Sequence, residues 1–511
     1  MNLEMSLDSL HHWYTASGAL VAELPAAFPA ERIMRGLAEC PGLVCFDSSS
    51  AGTPSEAAGQ AEAAALELAR FSFLAADPIF TWSLPPAAGN DSSDQLRLIL
   101  GEARRVLIDC RCPTIPGLPP FQGGLAGLLS FDAGLAHLGV PVTAARPAQL
   151  PQIQLGLYDV VFAFDHQRER AWAISQGLPA GGQAARRQRS RQRLEHHLAA
   201  VAATAATEAP DPRWQRPTES QTLPGLVPLP GSPGVFSTHT EADYLTMVQA
   251  GIDLVRAGDI FQVNLAQQLC VPARCDPLAL YRVARRLNPA PFAGFLSLDD
   301  GAIVSMSPER FLKVTRDRVW MHPIKGTRRV LASPEADLFA GADLGASEKD
   351  RAENVMIVDL VRNDLARVCR PESVEVEALC RLERFRYVQH LVSVVSGRLL
   401  PGAGPLDAVL ASFPGGSVTG APKRRACEII SDLERAGRGP YCGTLGYVGF
   451  DGAADFNLLI RSFVVGPDEI SFSVGGGITV GSDPAAEYAE SLHKAEGMLR
   501  VLAAFAGEEP A

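Results

Sequence analysis

An α+β body is the fold class compatible with this sequence, and three features point to it. Short apolar runs bounded by Gly/Pro turns fill the first third, where 42–48, 71–74 and 157–164 read as strands. From Thr240 the apolar period becomes helical, and the end of the chain sets strand-like runs between turns before a last helix from about Pro484. With 511 residues and 47% hydrophobic content, the chain can bury a large core as one or two units.

In the first stretch, 121–132 carries glycines where backbones can approach closely. Residues 180–234 combine an Arg/Gln helix-like segment, an alanine run and Pro/Gly/Ser/Thr enrichment, the pattern of an insertion or long connection. This divides the chain into 1–176, a linker or insertion at 177–235, and 236–511. Thr240 and Asp243 can cap a helix with Tyr244, Met247, Val248, Ile252 and Val255 on one face, stopping near Gly258. Strands are expected at 302–306 and 319–324, then a helix opened by Ser347 with Asp350 three residues on. A terminal meander is expected at 443–450, 456–465 and 470–474, with turns at Asp451-Gly452 and Gly466-Pro467-Asp468.

A formal charge of -11 leaves no basic face for phosphates and argues against a nucleic-acid partner. The arginines at 186–193 are a local exception, read as solvated linker charge. No run reaches the roughly 18 apolar residues of a membrane span, and Met1-Asn2-Leu3-Glu4 does not begin a basic-then-apolar leader, so a cytoplasmic protein away from membranes is expected. The ten cysteines lack zinc or secretory spacing and are expected reduced and mostly buried.

Chemistry concentrates in a few segments. Lys325 of His322-Pro323-Ile324-Lys325-Gly326-Thr327-Arg328 follows Glu309 of Ser307-Pro308-Glu309-Arg310-Phe311 by sixteen residues. An amine and a carboxyl group beside strand ends can serve one small molecule as nucleophile and general acid, although a lone lysine near a turn is usually solvated. Glu487, Glu490 and Lys494 share one face of the last helix, as a solvated stripe would too. Just upstream, Gly475-Gly476-Gly477-Ile478 reads as a strand-to-helix connection whose N–H groups can hold a carboxylate. Asp350 and Glu353 form a second acidic i, i+3 pair. Two carboxylates from each of two helices can share a divalent ion, and all-oxygen ligation suits Mg²⁺; surface pairing is the alternative.

Together these motifs resemble the chorismate-utilising enzymes. The lysine and glutamate segments and the run from Gly475 through Thr479-Val480-Gly481-Ser482-Asp483-Pro484 to Glu490 carry the resemblance, and 71–78 with 121–132 extend it over nearly the whole chain. Within the family, the chain is similar to component I of aminodeoxychorismate synthase; component I of anthranilate synthase shares the scaffold but has alanine where Lys325 stands. The resemblance implies two antiparallel sheets packed face to face with helices outside, the last region binding chorismate.

Carried over by motif, the resemblance makes Lys325 the nucleophile, Glu309 the general acid and His390 of Val388-Gln389-His390-Leu391 a group that orients or transfers a proton. Thr327 would touch the ring, while Tyr441, Arg461, Gly475, Gly476, Gly477 and Lys494 would hold the substrate. Glu353 and Glu490 match direct Mg²⁺ ligands, and Asp350 and Glu487 match outer positions, Asp350 replacing a glutamate of many relatives. Gln262 stands where isochorismate and salicylate synthases place a water-activating lysine, which points to an amine nucleophile. The loop 413–423 would border the site, with Lys423 its obvious charge. Arg329 departs from the proline usual after Gly-Thr-Arg. The implied reaction is amination of chorismate by ammonia to 4-amino-4-deoxychorismate, toward p-aminobenzoate and folate. No cysteine sits in a Gly-x-Cys-x-Gly elbow, so a separate glutaminase subunit would supply the ammonia. Phe46-Asp47-Ser48 lies where several relatives hold tryptophan. The alternatives are anthranilate synthase component I and an inactive chorismate-binding regulatory protein.

Overall fold

The computed structural model describes residues 6–26, 28–48, 70–86, 92–142, 145–146, 148–204, 223–330, 333, 341–384 and 388–507. Among them the strands form a fourteen-stranded and a ten-stranded antiparallel sheet. Strand alternation explains the layering. Along Phe71–Ala75, Phe73 and Ala75 join a cluster with Leu128, Leu445 and Tyr447 of the other sheet and with Phe121 just before it, so the two sheets share an apolar interior. Leu74 of the same strand faces the other way, into a cluster with Leu198, Leu280 and Leu502 of the helices Gln183–Thr204, Pro277–Leu287 and Pro484–Phe505. Helices 92–109 and 348–366 cover the outside of the smaller sheet, and 423–433 packs on the strand Gln262–Pro272 of the larger one. The α+β class and the two-sheet arrangement are as expected.

Local signals hold where a cap or turn specifies them. Thr240 and Asp243 form a full capping box on Glu241–Arg256, and Gly258 follows its end at φ +82°. Ser347 caps Glu348–Ala366 by accepting from Asp350 N. The last helix is Pro484–Phe505, with Asp483 as its cap.

Two apolar runs expected as single strands each divide, and both change sheets. The run 157–164 breaks at buried Asp159: Ile153–Tyr158 belongs to the smaller sheet and Val160–Asp165 to the larger. Likewise 456–465 divides into Ala454–Asn457 in the smaller sheet and Ser462–Val465 in the larger. A third switch lies between Gly301–Ser307 and Arg310–Thr315, and Glu309 sits in it. Periodicity cannot reveal such switches, because strands in both sheets bury apolar residues against the shared interior. The expected strand 319–324 also ends early, at Met321, with a second strand beginning at Ile324.

The segment 177–235 contains the helix Gln183–Thr204, which packs Leu194, Leu198 and Val201 into the outer core. Its arginines are not simply solvated: Arg193 pairs with Asp77 and Asp159, and Arg186 and Arg189 donate to the carbonyls of Gln176 and Leu178. All ten cysteines are free, eight of them buried. No helix among the described residues is long and apolar enough to cross a membrane.

Candidate active site

Glu309 is placed by two sheet crossings stitched together. Leu458 N donates to the Glu309 carbonyl at 3.0 Å, Ser307 Oγ donates to the Leu458 carbonyl at 2.5 Å, and Met306 N donates to the Arg461 carbonyl at 3.0 Å. Glu309 is 7% exposed and burial pushes its carboxyl up to about 7, against the opposing pull of a Ser417 hydrogen bond and of Lys325. A carboxyl so tuned is half-protonated near neutrality, as a general acid should be.

Lys325 lies on the edge strand Ile324–Arg329 against Val388–Arg398. The register shifts between Lys325 and Thr327, with Gly326 at φ +76° forming the bulge. A side chain at Gly326 would also come within 2.8 Å of Leu344 and 3.1 Å of Asp350. Lys325 Nζ donates to the Ser417 carbonyl at 3.2 Å. Burial lowers its basicity and Lys494 adds to this, opposed by Glu353, Glu309 and Glu490. Thr327 pairs with His390 across the ladder; its side chain lies outside the described residues. His390 is buried and pushed down to about 4 by burial and by Arg461, so it is neutral at pH 7 and suited to orienting rather than donating.

The glycines require a correction. Gly475, Gly476 and Gly477 are not a strand-to-helix connection but the end of the strand Glu469–Ile478, paired with Ala266, Leu265 and Asn264. The neighbour on the other side, Ser462–Val465, pairs only as far as Ser471, so the glycine end has an edge free of that strand. A Cβ on Gly477 would lie 3.6 Å from Lys325 Nζ and 2.2 Å from Gln262 Nε2, which sets Lys325, Gln262 and Gly477 side by side. A Cβ on Gly476 would lie 2.9 Å from Glu487 Oε2 and 3.7 Å from Lys494 Nζ, and Lys494 donates to the Gly475 carbonyl at 2.8 Å. The glycines thus leave room for cations and carboxylates on both faces of the strand.

Glu490 pairs with Lys494 at 2.8 Å, and Glu487 accepts from Ser482 at 2.7 Å. Burial raises the carboxyls of Glu353 and Glu487; each also feels Glu490, and Glu353 feels Asp350. In Glu490 the burial effect is outweighed by Lys494. Among the described residues no three acidic, His or Cys side chains converge as a metal cage. Two facing carboxylates with open positions fit Mg²⁺, which commonly takes one or two carboxylates and keeps its remaining oxygens from water or substrate. The helix bearing Asp350 and Glu353 is anchored by Asn354, which donates to the Leu391 carbonyl and accepts from Ser393.

Arg461, exposed at φ +52°, occupies the second sheet crossing and acts on His390. Tyr441 is buried, and its turn meets that crossing through Cys442 N, which donates to the Leu459 carbonyl at 2.8 Å. Lys423, the obvious charge of its loop, is not in the site. It is buried against Asp364 Oδ2 at 2.6 Å and the Ser412 carbonyl at 2.7 Å.

Sequence reasoning missed Ser417, the Glu434–Arg438 pair and Asn264. Ser417 Oγ donates to Glu309 Oε1 at 2.9 Å. Glu434 and Arg438 form a buried pair at 2.6 Å, with Arg438 also donating to the carbonyls of Val418 and Asn264 and Glu434 accepting from Ala266 N. Asn264 Oδ1 and Gln262 Oε1 are buried on one strand face without a hydrogen-bond partner among the described residues. The i, i+4 spacing of Glu434 and Arg438 was visible, but nothing in it separates a buried pair from a surface one. Apart from this cluster, a cavity of about 960 Å³ lies between the sheets, lined by Phe46, Asp47, Ser48 and Tyr447, with Arg310 beside Glu309 at its wall.

A two-sheet α+β body with a buried amine, a tuned carboxyl group and acidic side chains beside a glycine strand end suits an enzyme acting on a small anionic molecule. The chain belongs to the chorismate binding enzyme family, whose model matches residues 90–500. It is 38% identical over 383 residues to aminodeoxychorismate synthase component 1 of Klebsiella aerogenes, covering 75% of this chain and 78% of that protein. It is also 38% identical over 436 residues to anthranilate synthase component 1 of Streptomyces coelicolor, covering 84% and 80%. Among solved structures, anthranilate synthase component I from Streptococcus pneumoniae matches with a TM-score of 0.69 at 29% identity, covering 88% of this chain and 94% of that one.

Proposed function

We propose that this chorismate-utilising enzyme aminates chorismate with ammonia to give 4-amino-4-deoxychorismate, as component I of an aminodeoxychorismate synthase. The observation that carries this reading is the Lys325 amine beside Gly477, held by Ser417 opposite the Glu309 carboxyl group. Lys325 attacks C2 of the ring as Glu309 protonates the departing 4-hydroxyl, which leaves as water. Ammonia then adds at C4, and the C2–N bond to Lys325 breaks to restore the amine. Covalent catalysis divides one displacement into two easier ones. His390, neutral at pH 7, orients the ring; Arg461 and Tyr441 hold the enolpyruvyl carboxylate.

Glu353 and Glu490 would hold Mg²⁺, with Asp350 and Glu487 around them. When bound, the ion neutralises a substrate carboxylate and negative charge developing at the ring. A separate glutaminase subunit supplies ammonia in the cell, in keeping with the component 1 names of the relatives.

The test is to incubate the purified chain with chorismate, Mg²⁺ and an ammonium salt, and to identify the product by mass. Aminodeoxychorismate with its pyruvyl group retained supports the reading. Anthranilate plus pyruvate refutes it and establishes the second reading, anthranilate synthase component I, which the equally similar Streptomyces relative favours.

A further inference from the structure

Two reactive groups from different segments meet at one residue that neither sequence spacing nor the proposed chemistry calls for. Ser417 lies in the short turn Gly416–Val418. Its hydroxyl donates to Glu309 Oε1 at 2.9 Å, and its carbonyl accepts from Lys325 Nζ at 3.2 Å. We propose that Ser417 is a positioning residue that fixes the acid and the nucleophile relative to each other through this single turn. The proposal rests on the reading that Glu309 and Lys325 act together on chorismate.

The chemistry follows from which atoms are engaged. The Ser417 hydroxyl donating to Oε1, together with the Ile324 backbone N–H that also donates to this carboxyl group, fixes the orientation in which Glu309 presents its proton. A carbonyl accepting one N–H of Lys325 turns the rest of the amine away from the turn. The two groups are then referenced to one rigid residue rather than to two strands that move separately, which is how orientation lowers a barrier.

The turn is braced for this task. Arg438 donates to the Val418 carbonyl at 2.9 Å, Thr419 Oγ1 to the Gly415 carbonyl at 3.0 Å, and Asn264 N to the Thr419 carbonyl at 2.7 Å. On its far side Gly416 packs so closely on Leu360 that a Cβ would come within 2.5 Å. The brace thus reaches the strand opposite Gly477, the helix of Glu353 and the segment of Tyr441.

The experiment compares Ser417→Ala and Ser417→Thr with the wild type, following chorismate consumption whatever product forms. Ser417→Ala should lower kcat roughly 30-fold or more, the scale expected when reacting groups drift by about 1 Å, with KM for chorismate changed less than about threefold. Ser417→Thr keeps the hydroxyl and should restore most of kcat. A readout independent of turnover is the titration of Glu309 by infrared difference spectroscopy, assigned with Glu309→Gln. The charged or titratable groups facing Glu309 are Lys325 and the Cys442 thiol, and neither changes in these variants. Losing a bond that favours the carboxylate should move the Glu309 titration to higher pH in Ser417→Ala and return it in Ser417→Thr. An unchanged titration with an unchanged kcat overturns the proposal. So does equal loss in both variants accompanied by a lowered melting temperature, the mark of a structural role. Because consumption and titration are read without reference to product, an enzyme that made anthranilate would refute the proposed function while still testing Ser417.

Discussion

Alanine placed in turn at Gly475, Gly476 and Gly477 should separate folding from chemistry along three adjacent residues. At Gly475 the new Cβ would sit 2.1 Å from the Leu265 carbonyl oxygen and 2.6 Å from Ala266 Cα, both backbone atoms of a paired strand. With ordinary contact near about 3.5 Å, the ladder itself must yield, an overpacking cost of about 1–3 kcal/mol or more. For a chain of this length each kcal/mol lowers the melting temperature by roughly 1 °C. At Gly477 the clash is 2.2 Å with Gln262 Nε2, the end of a side chain that can swing aside, at a point 3.6 Å from Lys325 Nζ. The amide must move by more than about 1 Å beside the Lys325 amine, the proposed nucleophile, so the rate should fall on the order of 100-fold with little loss of stability. Gly476→Ala meets only Glu487 Oε2 at 2.9 Å and should fall between the two. Initial rates of chorismate consumption and thermal melts of the three variants make the assay. A Gly477→Ala enzyme with the wild-type rate would refute the placement of Lys325 and Gln262 against this strand.

With Glu309 as the proposed acid and its carboxyl pushed up to about 7, kcat/KM should decline tenfold per pH unit above about 7; a flat profile to pH 9 would remove it as the acid. The same raised value means its contribution to stability is full below the ordinary 4.5 and is lost as pH rises through about 7. Glu309→Gln should therefore be inactive yet melt higher than the wild type at pH 8. Lys423→Met leaves Asp364, fully buried, with only Arg367 at 2.9 Å among the described residues, and should cost about 3 kcal/mol in urea unfolding, largely recovered in Lys423→Met/Asp364→Leu. Chelation should abolish turnover and added Mg²⁺ restore it, with Glu353→Ala and Glu490→Ala each requiring more Mg²⁺ for half-maximal rate; equal Mg²⁺ requirements in both variants and wild type would exclude these two ligands.

The capped helices and the glutamate, lysine and histidine motifs were legible because each is a local signal. Thr240 with Asp243 and Ser347 with Asp350 specify helix starts within four residues. What stayed hidden depends on the third dimension. Strands 153–158 and 160–165 read as one because only a single Asp159, flanked by Tyr158 and Val160, separates them; its partner in the fold, Arg193, lies thirty-four residues away. The glycines at 475–477 suggested a loop since their use, space for Gln262 and Lys494, exists only once the neighbouring strand and helix are in place. Lys423 illustrates the reverse error, a lysine in a functional loop whose charge is consumed by a buried aspartate.

Three ion pairs around the site make the same physical point. Lys423–Asp364 ties the 413–423 loop to the helix of Glu353, Glu434 holds Arg438 where it donates to the Val418 carbonyl of the Ser417 turn, and Arg310–Asp455, at 2.9 Å, fixes the residue next to Glu309. Apolar replacements of such pairs often stabilise a fold, so stability alone does not account for three of them in one place. Lys423–Asp364 and Arg310–Asp455 join segments distant in sequence, and Glu434–Arg438 orients Arg438 toward the carbonyls of Val418 and Asn264; in each, directional hydrogen bonds define one register where an apolar contact would admit several. Reaction geometry tolerates errors of well under 1 Å, so the register these pairs impose is worth more to turnover than the stability they forgo.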